Sequence, residues 1–379
     1  MSQSIAGRRA QRRLSPPASF IAVALIAVLF PAASSAPSPL YVVYQQQWHF
    51  SPATLTAIFA VYVIGLEAVS LMLFVLANDV PLLFIARVVQ GIATGAAITA
   101  LSATLVDLNP PHASGRAGLI NGIAPTGGLA LGALGCGVLV QYAPAPTRLV
   151  YVLLLIGMLV AAVVVAAMPE TSAGRPGGVA SLVPRLGIPA RVRTDFYALV
   201  PILIATWALG GLYLSLGPSV AAGVFGLTNH LIGGLVVTVL CGSSAVTAFV
   251  VRNQPGQKVL DAGAILLALG SAITLAGLIG TTVALAVAGT VVGGIGFGAS
   301  VLGSFGAVVR LCGPAERGEL FAVAYTIAYL ALSIPAVVAG FVATAAGLRT
   351  TAIFYTIGLI VLCGATLAAQ RLRNRAEKI

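Results

Sequence analysis

The chain has 379 residues, of which 59% are hydrophobic and only 8% are charged. Soluble domains carry about 25% charged residues, so this composition excludes a soluble enzyme, and its hydrophobicity excludes a disordered chain. The remaining class is a polytopic membrane protein. A net charge of +11 could suggest a nucleic-acid partner, but the placement of the charges described below indicates a membrane surface instead.

Continuous apolar segments of the length that a bilayer requires, about 20 residues, follow one another along the whole chain. The absence of period-two alternation in them argues against a β-barrel. The sequence therefore predicts an all-α membrane protein with eleven spans: Pro17–Tyr41, Pro52–Ala77, Pro81–Leu105, Gly118–Tyr142, Leu149–Met168, Tyr197–Ala221, Leu231–Val251, Val259–Gly280, Thr282–Val309, Leu320–Ala346 and Thr351–Ala369.

One connection is much longer than the others and is rich in proline, glycine and arginine. Such a composition is typical of a linker. We therefore expect an N-terminal helical bundle at 1–168, a cytoplasmic linker at 169–196 and a C-terminal helical bundle at 197–379.

The two halves contain a repeat. Val89–Ala96 (VQGIATGA) and Val292–Ala299 (VGGIGFGA) are related by an offset of 203 residues, and a Pro- and Arg-containing loop follows each. Parallel repeats of this kind build a large class of secondary transporters.

The same repeat indicates that the first half is shorter. Its first span and that of the second half are offset by only 177 residues, 26 fewer than 203, which is about one helix with its turn. The missing piece lies between the first span and Gly91. We expect Pro52–Ala77 to form a single helix, so that eleven helices remain of twelve.

The cationic residues fall mostly on one side of the predicted membrane. In a twelve-span repeat, seventeen of the 20 Lys and Arg lie in cytoplasmic ends and loops, and only Arg148 and Arg349 lie opposite. This bias follows the positive-inside rule and predicts a multi-pass protein of the plasma (cytoplasmic) membrane. With eleven full spans the four N-terminal Arg would face away from the rest, so either Pro52–Ala77 does not cross fully or the N-terminus lies elsewhere.

Two motifs carry a resemblance to a known family. Arg87-Val88-Val89-Gln90-Gly91 resembles the R-x-x-Q-G signature in the fourth helix of the major facilitator superfamily, and Gly122, Pro125, Gly127 and Gly128 resemble the glycine-proline motif in the fifth helix of its proton-coupled antiporters. The loop motif between the second and third helices is missing at the junction of Leu66 and Glu67.

The resemblance implies two helical bundles around a central cavity and transport of a small molecule, with a lean towards proton-coupled efflux. A metabolite symporter or uniporter is the alternative within the class. A truncated membrane protein without transport activity is the alternative outside it. We expect lipid and a small-molecule substrate as partners, protons as the coupling ion, a monomer, and neither nucleic acid nor enzymatic activity.

Several polar residues within the spans are candidates for contact with the substrate. A charge in hydrocarbon is costly, so Arg87, which shares a helical face with Gln90 and Thr94, is predicted to face protein or water. The alternative is that Arg87 extends outward to the interface. Ser38 and Tyr41 share a face of the first span, and further candidates are Thr206, Tyr213, Tyr325 and Tyr329.

Glu67 is the candidate for proton coupling, because a straight helix over Pro52–Ala77 would place it in the middle of the membrane. The alternative is an interfacial Glu moved inward by the shortening. The three histidines are far apart and no nucleophile–base pair is visible, so we predict no metal, no cofactor and no catalytic residue.

Overall fold

The computed structural model describes residues 16–35, 67–108, 116–166, 187–311, 313 and 316–376. These residues form α-helices joined by short connections, and none of them forms a strand. The helices are α1 Pro16–Ser35, α2 Glu67–Leu76, α3 Val80–Asp107, α4 Arg116–Tyr142, α5 Leu149–Ala166, α6 Arg193–Ser215, α7 Gly217–Gly223, α8 His230–Val250, α9 Gly256–Gly280, α10 Val283–Leu311, α11 Arg317–Ala346 and α12 Leu348–Ala376, with a 3-10 turn at Ala190–Val192.

Each predicted span contains a helix in the described part of the chain, which confirms the all-α prediction. Within the described ranges, seven helices are long and apolar enough to cross a bilayer: α4, α6, α8, α9, α10, α11 and α12. The span predicted at Tyr197–Ala221 is divided between α6 and α7, because Pro218 stands in the first turn of α7. Of Pro52–Ala77, the structure describes only α2 and the residue after it, so the single-helix prediction lies partly outside the described residues.

The order of helix packing recurs in the two halves. In the first half, α1 packs on α4, and α2 packs on both α3 and α5. In the second half, α6 packs on α11, and α9 packs on both α10 and α12. A backbone hydrogen bond at the start of α3 also has an equivalent at the start of α10. In α3, Leu83 N–H donates to Asp79 O, and in α10, Ala286 N–H donates to Thr282 O. Both pairs obey the 203-residue offset.

A glycine seam joins α9 to α10. On each helix three glycines recur every seven residues, and each lies so close to the other helix that a side chain would collide with it. Small residues allow such an approach between membrane helices. The seam comprises Gly263, Gly270 and Gly277 on α9 and Gly289, Gly296 and Gly303 on α10.

The two halves meet where α4 crosses α8. At the end of the pair near the α4 C-terminus, a methyl group on Gly137 would lie 3.2 Å from the Cα of Gly234. One turn further along α8, the Thr238 hydroxyl is shared between Gly234 O of its own helix at 2.8 Å and Ala130 O across the interface at 3.1 Å. The outer ends of the two halves are therefore in backbone contact.

The interface is looser towards the other end of α4. A Cβ on Gly127 would lie 3.9 Å from that of Ala245, which is an ordinary contact, and one on Gly122 would lie 4.0 Å from Leu302 of α10. The separation of α4 from the second half thus increases towards the N-terminus of α4.

The charges of the second half lie where the positive-inside rule predicts. Arg191 forms an ion pair with Glu316, and a Cβ on Gly256 would collide with Arg310, so these cationic ends of α6, α9, α10 and α11 form one face. At the opposite face, Arg349 donates to the last carbonyls of α9. We call the first face cytoplasmic and the second outer.

Candidate functional site

An aromatic cluster occupies the contact between α6, α10 and α11. The ring of Trp207 lies 6.0 Å from Tyr329 and 6.5 Å from Phe305, and Phe305 lies 4.8 Å from Tyr325. The rings touch in tilted, stacked and edge-to-face arrangements, which aromatic pairs favour. The cluster comprises Trp207, Phe297, Phe305, Phe321, Tyr325 and Tyr329.

Two polar atoms at the cluster are buried and have no hydrogen-bond partner in the described part of the chain. They are the indole Nε1 of Trp207 and the hydroxyl of Thr206. Buried polar groups are usually satisfied, and an unsatisfied donor or acceptor costs about 1–3 kcal/mol. The cluster therefore combines a large apolar surface with a buried indole N–H whose hydrogen-bonding capacity is unused among the described residues.

The aromatic cluster lies beside the surface between the two halves. Leu302, one turn before Phe305 on α10, is the residue that approaches Gly122 of α4. Tyr325 is 37% exposed, so the cluster keeps an accessible surface on α11.

Arg87 lies inside the first half, where α3 packs against α2. Its side chain is fully buried, its guanidinium donates to Gln90 Oε1, and it lies 5.4 Å from the centroid of the Phe74 ring. Phe74 in turn stacks on Tyr151 of α5 at 4.8 Å. The guanidinium therefore faces protein, and its contact with a substrate stays a prediction.

The other candidates of the first half are placed only in part. The Thr94 hydroxyl donates to Gln90 O at 2.9 Å, so Thr94 is bonded within α3. The side chain of Glu67, and Ser38 and Tyr41 altogether, lie outside the described residues. Among the described residues, no group of three His, Cys, Asp or Glu could hold a metal ion.

Tyr213 belongs to a different site from Thr206. Its hydroxyl lies 2.9 Å from that of Thr290 and 3.4 Å from that of Thr274, at the outer ends of α9 and α10. Together with α7, α8 and α12 these helices enclose an apolar cavity of about 390 Å³. The structure therefore brings Tyr325 and Tyr329 together with Trp207 and separates Tyr213 from them.

The helix-packing residues of the first half lie on α4. Pro125 stands inside this helix, and Gly122 and Gly127 face the second half at 4.0 and 3.9 Å. Gly128 is buried. These placements bring the glycine-proline segment to the interface, and its role in transport stays a prediction.

Sequence reasoning missed the phenylalanines of the aromatic cluster. The spacing could have indicated them, because Phe321, Tyr325 and Tyr329 recur every four residues and Phe297 and Phe305 are eight apart. Both spacings place side chains on one helical face.

An all-helical membrane protein with a repeated packing order and a candidate site beside the interface of its halves has the architecture of a secondary transporter. The sequence profile of the Major Facilitator Superfamily matches residues 63–253, which is half of the chain. The chain therefore belongs to the Major Facilitator Superfamily and is a multi-pass membrane transporter of small molecules. Comparison with curated proteins by sequence gives no match.

Solved structures of the same fold cover nearly the whole chain. A bacterial homolog of the human lysosomal transporter Spinster, inward-facing and unoccupied, is 15% identical with a TM-score of 0.73 over 96% of this chain and 98% of that one. A POT family transporter in complex with a thioalcohol-conjugated peptide is 15% identical (TM-score 0.71, 93% and 95%). The inward-open xylose transporter XylE from E. coli is 13% identical (TM-score 0.70, 93% and 96%). At these identities the similarity concerns the fold.

Proposed function

We propose that the chain exports apolar aromatic small molecules across the plasma membrane, as a monomer and in exchange for protons. Residues 1–168 and 197–379 act as the two moving bundles and 169–196 as their linker. The observation that carries the substrate class is the unpartnered indole N–H of Trp207 inside the aromatic cluster. A planar substrate would stack on the rings and accept a hydrogen bond from this donor.

The chemistry of the aromatic cluster favours an aromatic substrate over a sugar or an anion. Its members are uncharged, and most of the surface that they present is the faces and edges of aromatic rings. Aromatic faces also attract cations by about 0.5–2 kcal/mol, so an aromatic cation is a suitable probe.

The contact between α4 and α8 supports movement of the two halves relative to one another. The helix backbones touch at the outer end, whereas the contacts at Gly127 and Gly122 are at normal van der Waals distance. This is the geometry expected when the outer side is closed. Opening the outer side requires α4 and α8 to separate near Gly137. The hydrogen bonds from Thr238 to Ala130 O and from His230 N–H to Gln141 Oε1 each oppose this by only about 1 kcal/mol.

The repeat supports Glu67 as the proton-carrying group. The 203-residue offset equates Glu67 with Gly270 and Gln90 with Gly293, and Gly270 and Gly293 are in backbone contact. The offset thus assigns Glu67 of α2 and Gln90 of α3 to corresponding positions in the first half, and the amide oxygen of Gln90 binds Arg87. A carboxylate near a buried guanidinium can exchange a proton as its surroundings change.

The experiment is ethidium uptake by inside-out vesicles with and without a pH gradient. We expect gradient-driven uptake, a loss of several-fold in Trp207→Phe, which keeps a ring but removes the N–H, and no loss in Tyr197→Phe, an exposed aromatic outside the cluster on the same helix. Equal uptake by Trp207→Phe and the parent chain would contradict the assigned role of the indole.

A uniporter is the second candidate, because every described carboxylate lies near a helix end or in a loop: Asp79, Asp195, Asp261, Glu316 and Glu319. Glu67→Gln separates the two functions. In an antiporter it abolishes the effect of the pH gradient and in a uniporter it changes nothing. A chain that moves no probe under any gradient would favour the alternative of a truncated, non-transporting protein.

A further inference from the structure

The apolar cavity of the second half is separate from the aromatic cluster. It lies at the outer ends of α6, α8, α9, α10 and α12, and α7 covers it. None of the described residues that line it is charged. Its volume of about 390 Å³ is roughly a dozen times the share of one water molecule in the liquid, so it has room for a hydrocarbon chain of about that many carbon-sized groups.

The polar atoms of the cavity have a defined direction of hydrogen bonding. Thr290 Oγ1 donates to Ala286 O at 2.8 Å, so its hydroxyl hydrogen is used and it accepts from Tyr213 at 2.9 Å. The phenol oxygen can then accept from Thr274, 3.4 Å away. The lone pairs of Thr274 Oγ1 remain as an acceptor at the cavity wall.

This arrangement selects the polar group of a ligand. Tyr213 and Thr290 are more than nine-tenths buried, and an acceptor next to them offers no compensation for a carboxylate or a phosphate. A hydroxyl group that donates to Thr274 fits. A ligand with one hydroxyl and an aliphatic chain would therefore satisfy the acceptor and fill the apolar volume.

The mouth of the cavity is apolar as well. Leu235 of α8 and Val283 and Val287 of α10 line it and are 37%, 39% and 51% exposed. A hydrophobic molecule can thus pass from the outer leaflet of the bilayer to the cavity without crossing a polar surface.

We propose that the second half binds one neutral aliphatic alcohol in this cavity, with its chain among the apolar residues and its hydroxyl on Thr274. The occupant is a free long-chain alcohol or a neutral lipid with a free hydroxyl, which share this chemistry. The proposal is independent of proton coupling and of the substrate of the transport path.

The test is photo-crosslinking of the full-length protein in nanodiscs. Two probes carry a diazirine on the alkyl chain, one a dodecanol and the other a diacylglycerol. We expect saturable labelling of residues 212–239 and 274–290 that excess dodecanol removes. Labelling by the alcohol alone identifies a free hydrophobe, and labelling by the diacylglycerol identifies a lipid. Non-saturable labelling by both overturns the proposal.

Three variants test the location. Val239→Trp fills the cavity and Val287→Trp blocks its mouth, and each should lower labelling at least ten-fold. Val250→Trp, at an exposed site on the same helix as Val239, should leave labelling unchanged. Size-exclusion profiles and unfolding midpoints identify any variant that has failed to fold, and labelling that persists in a folded Val239→Trp or Val287→Trp protein overturns the assigned cavity.

One further variant tests the hydroxyl. Thr274→Val keeps the shape of the side chain and removes the acceptor. Dodecanol should displace the alcohol probe better than dodecane in the parent chain, and this preference should fall by about five-fold in the variant, the ratio that one hydrogen bond gives. An unchanged preference overturns the orientation of the alcohol on Thr274.

Discussion

Gly137 and Gly234, which belong to different halves of the chain, hold two helix backbones in contact: a methyl group on Gly137 would lie 3.2 Å from the Cα of Gly234. A side chain on Gly234 would in turn collide with Ala133 O. The outer closure of the transporter thus depends on the absence of two side chains.

Gly234→Ala is expected to separate α4 from α8 at the outer end. Overpacking of a tight contact costs about 1–3 kcal/mol, so the variant should shift the protein towards an outward-open state. It should also increase labelling by a membrane-impermeant maleimide of an introduced Thr238→Cys, a position whose side chain faces Ala130 across the interface. Gly242→Ala is the matched control on the same interface, because its Cβ would make an ordinary 3.9 Å contact with Ala130. Equal labelling of the two variants would contradict the closure.

Arg87→Ala is expected to destabilise the first half. The substitution removes a cation from the face of Phe74, worth about 2 kcal/mol in a desolvated site, and takes away a hydrogen bond of Gln90. The unfolding midpoint should fall clearly, whereas Arg310→Ala, which removes an exposed arginine at the cytoplasmic end of α10, should change it little. Flux per folded molecule then separates transport from stability, and an unchanged midpoint would argue against the buried placement.

Glu67 and Gln90 are expected to be coupled energetically. If the repeat holds for their side chains, the double-mutant cycle of Glu67→Gln and Gln90→Leu should give an interaction energy of about 0.5–3 kcal/mol in stability or in pH-driven flux. Glu67→Gln combined with Thr94→Val provides the comparison, because the Thr94 hydroxyl donates to Gln90 O within α3. Additive effects for both pairs would show that Glu67 and Gln90 do not interact energetically.

Arg349→Ala is expected to loosen the outer end of α9. Arg349 donates to Leu278 O at 3.1 Å and to Ile279 O at 2.6 Å, and cations favour the C-terminal end of a helix by about 0.3–1 kcal/mol when exposed. Hydrogen exchange at 277–282 should accelerate. Arg148→Ala removes the other outer arginine and should leave this segment protected, and faster exchange in both variants would point to a general charge effect.

The topology of the N-terminus follows from the number of spans. In a background without the native cysteines, Ser4→Cys and Ala376→Cys should react from opposite sides of the membrane if Pro52–Ala77 is one crossing, because eleven spans place the termini on opposite sides. Sealed vesicles and an impermeant maleimide make this comparison. Reaction of both from the cytoplasm in an active protein would exclude the single crossing.

The spans could be predicted from the sequence because each is a continuous apolar segment, and the 203-residue offset reappears in the hydrogen bonds of Leu83 and Ala286. Side-chain neighbours could not be predicted in the same way. Thr206 and Tyr213 are seven residues apart and share a face, but they differ in depth by about 10.5 Å. That depth places Thr206 at the level of Trp207, its neighbour in the chain, and Tyr213 at the outer cavity.

Arg87 illustrates the same limit. The free-energy cost of placing a charged side chain in hydrocarbon predicts that Arg87 faces protein or water. In the structure, Arg87 is buried in protein. The group that the guanidinium faces is the ring of Phe74. Phe74 belongs to another helix, so the residue spacing around Arg87 does not identify it. Long-range contacts of this kind are set by the packing of α2 on α3.

The glycine seam makes the two copies of the repeat mechanically unequal. Where α9 and α10 touch through Gly270, Gly277 and Gly293, the first half has Glu67, Phe74 and Gln90 at the positions given by the offset. Backbones that touch directly cannot slide without collision, whereas side chains can change rotamer and proton content. The second copy of the repeat is therefore packed backbone to backbone at this contact, whereas the first copy has residues with side chains at the same positions.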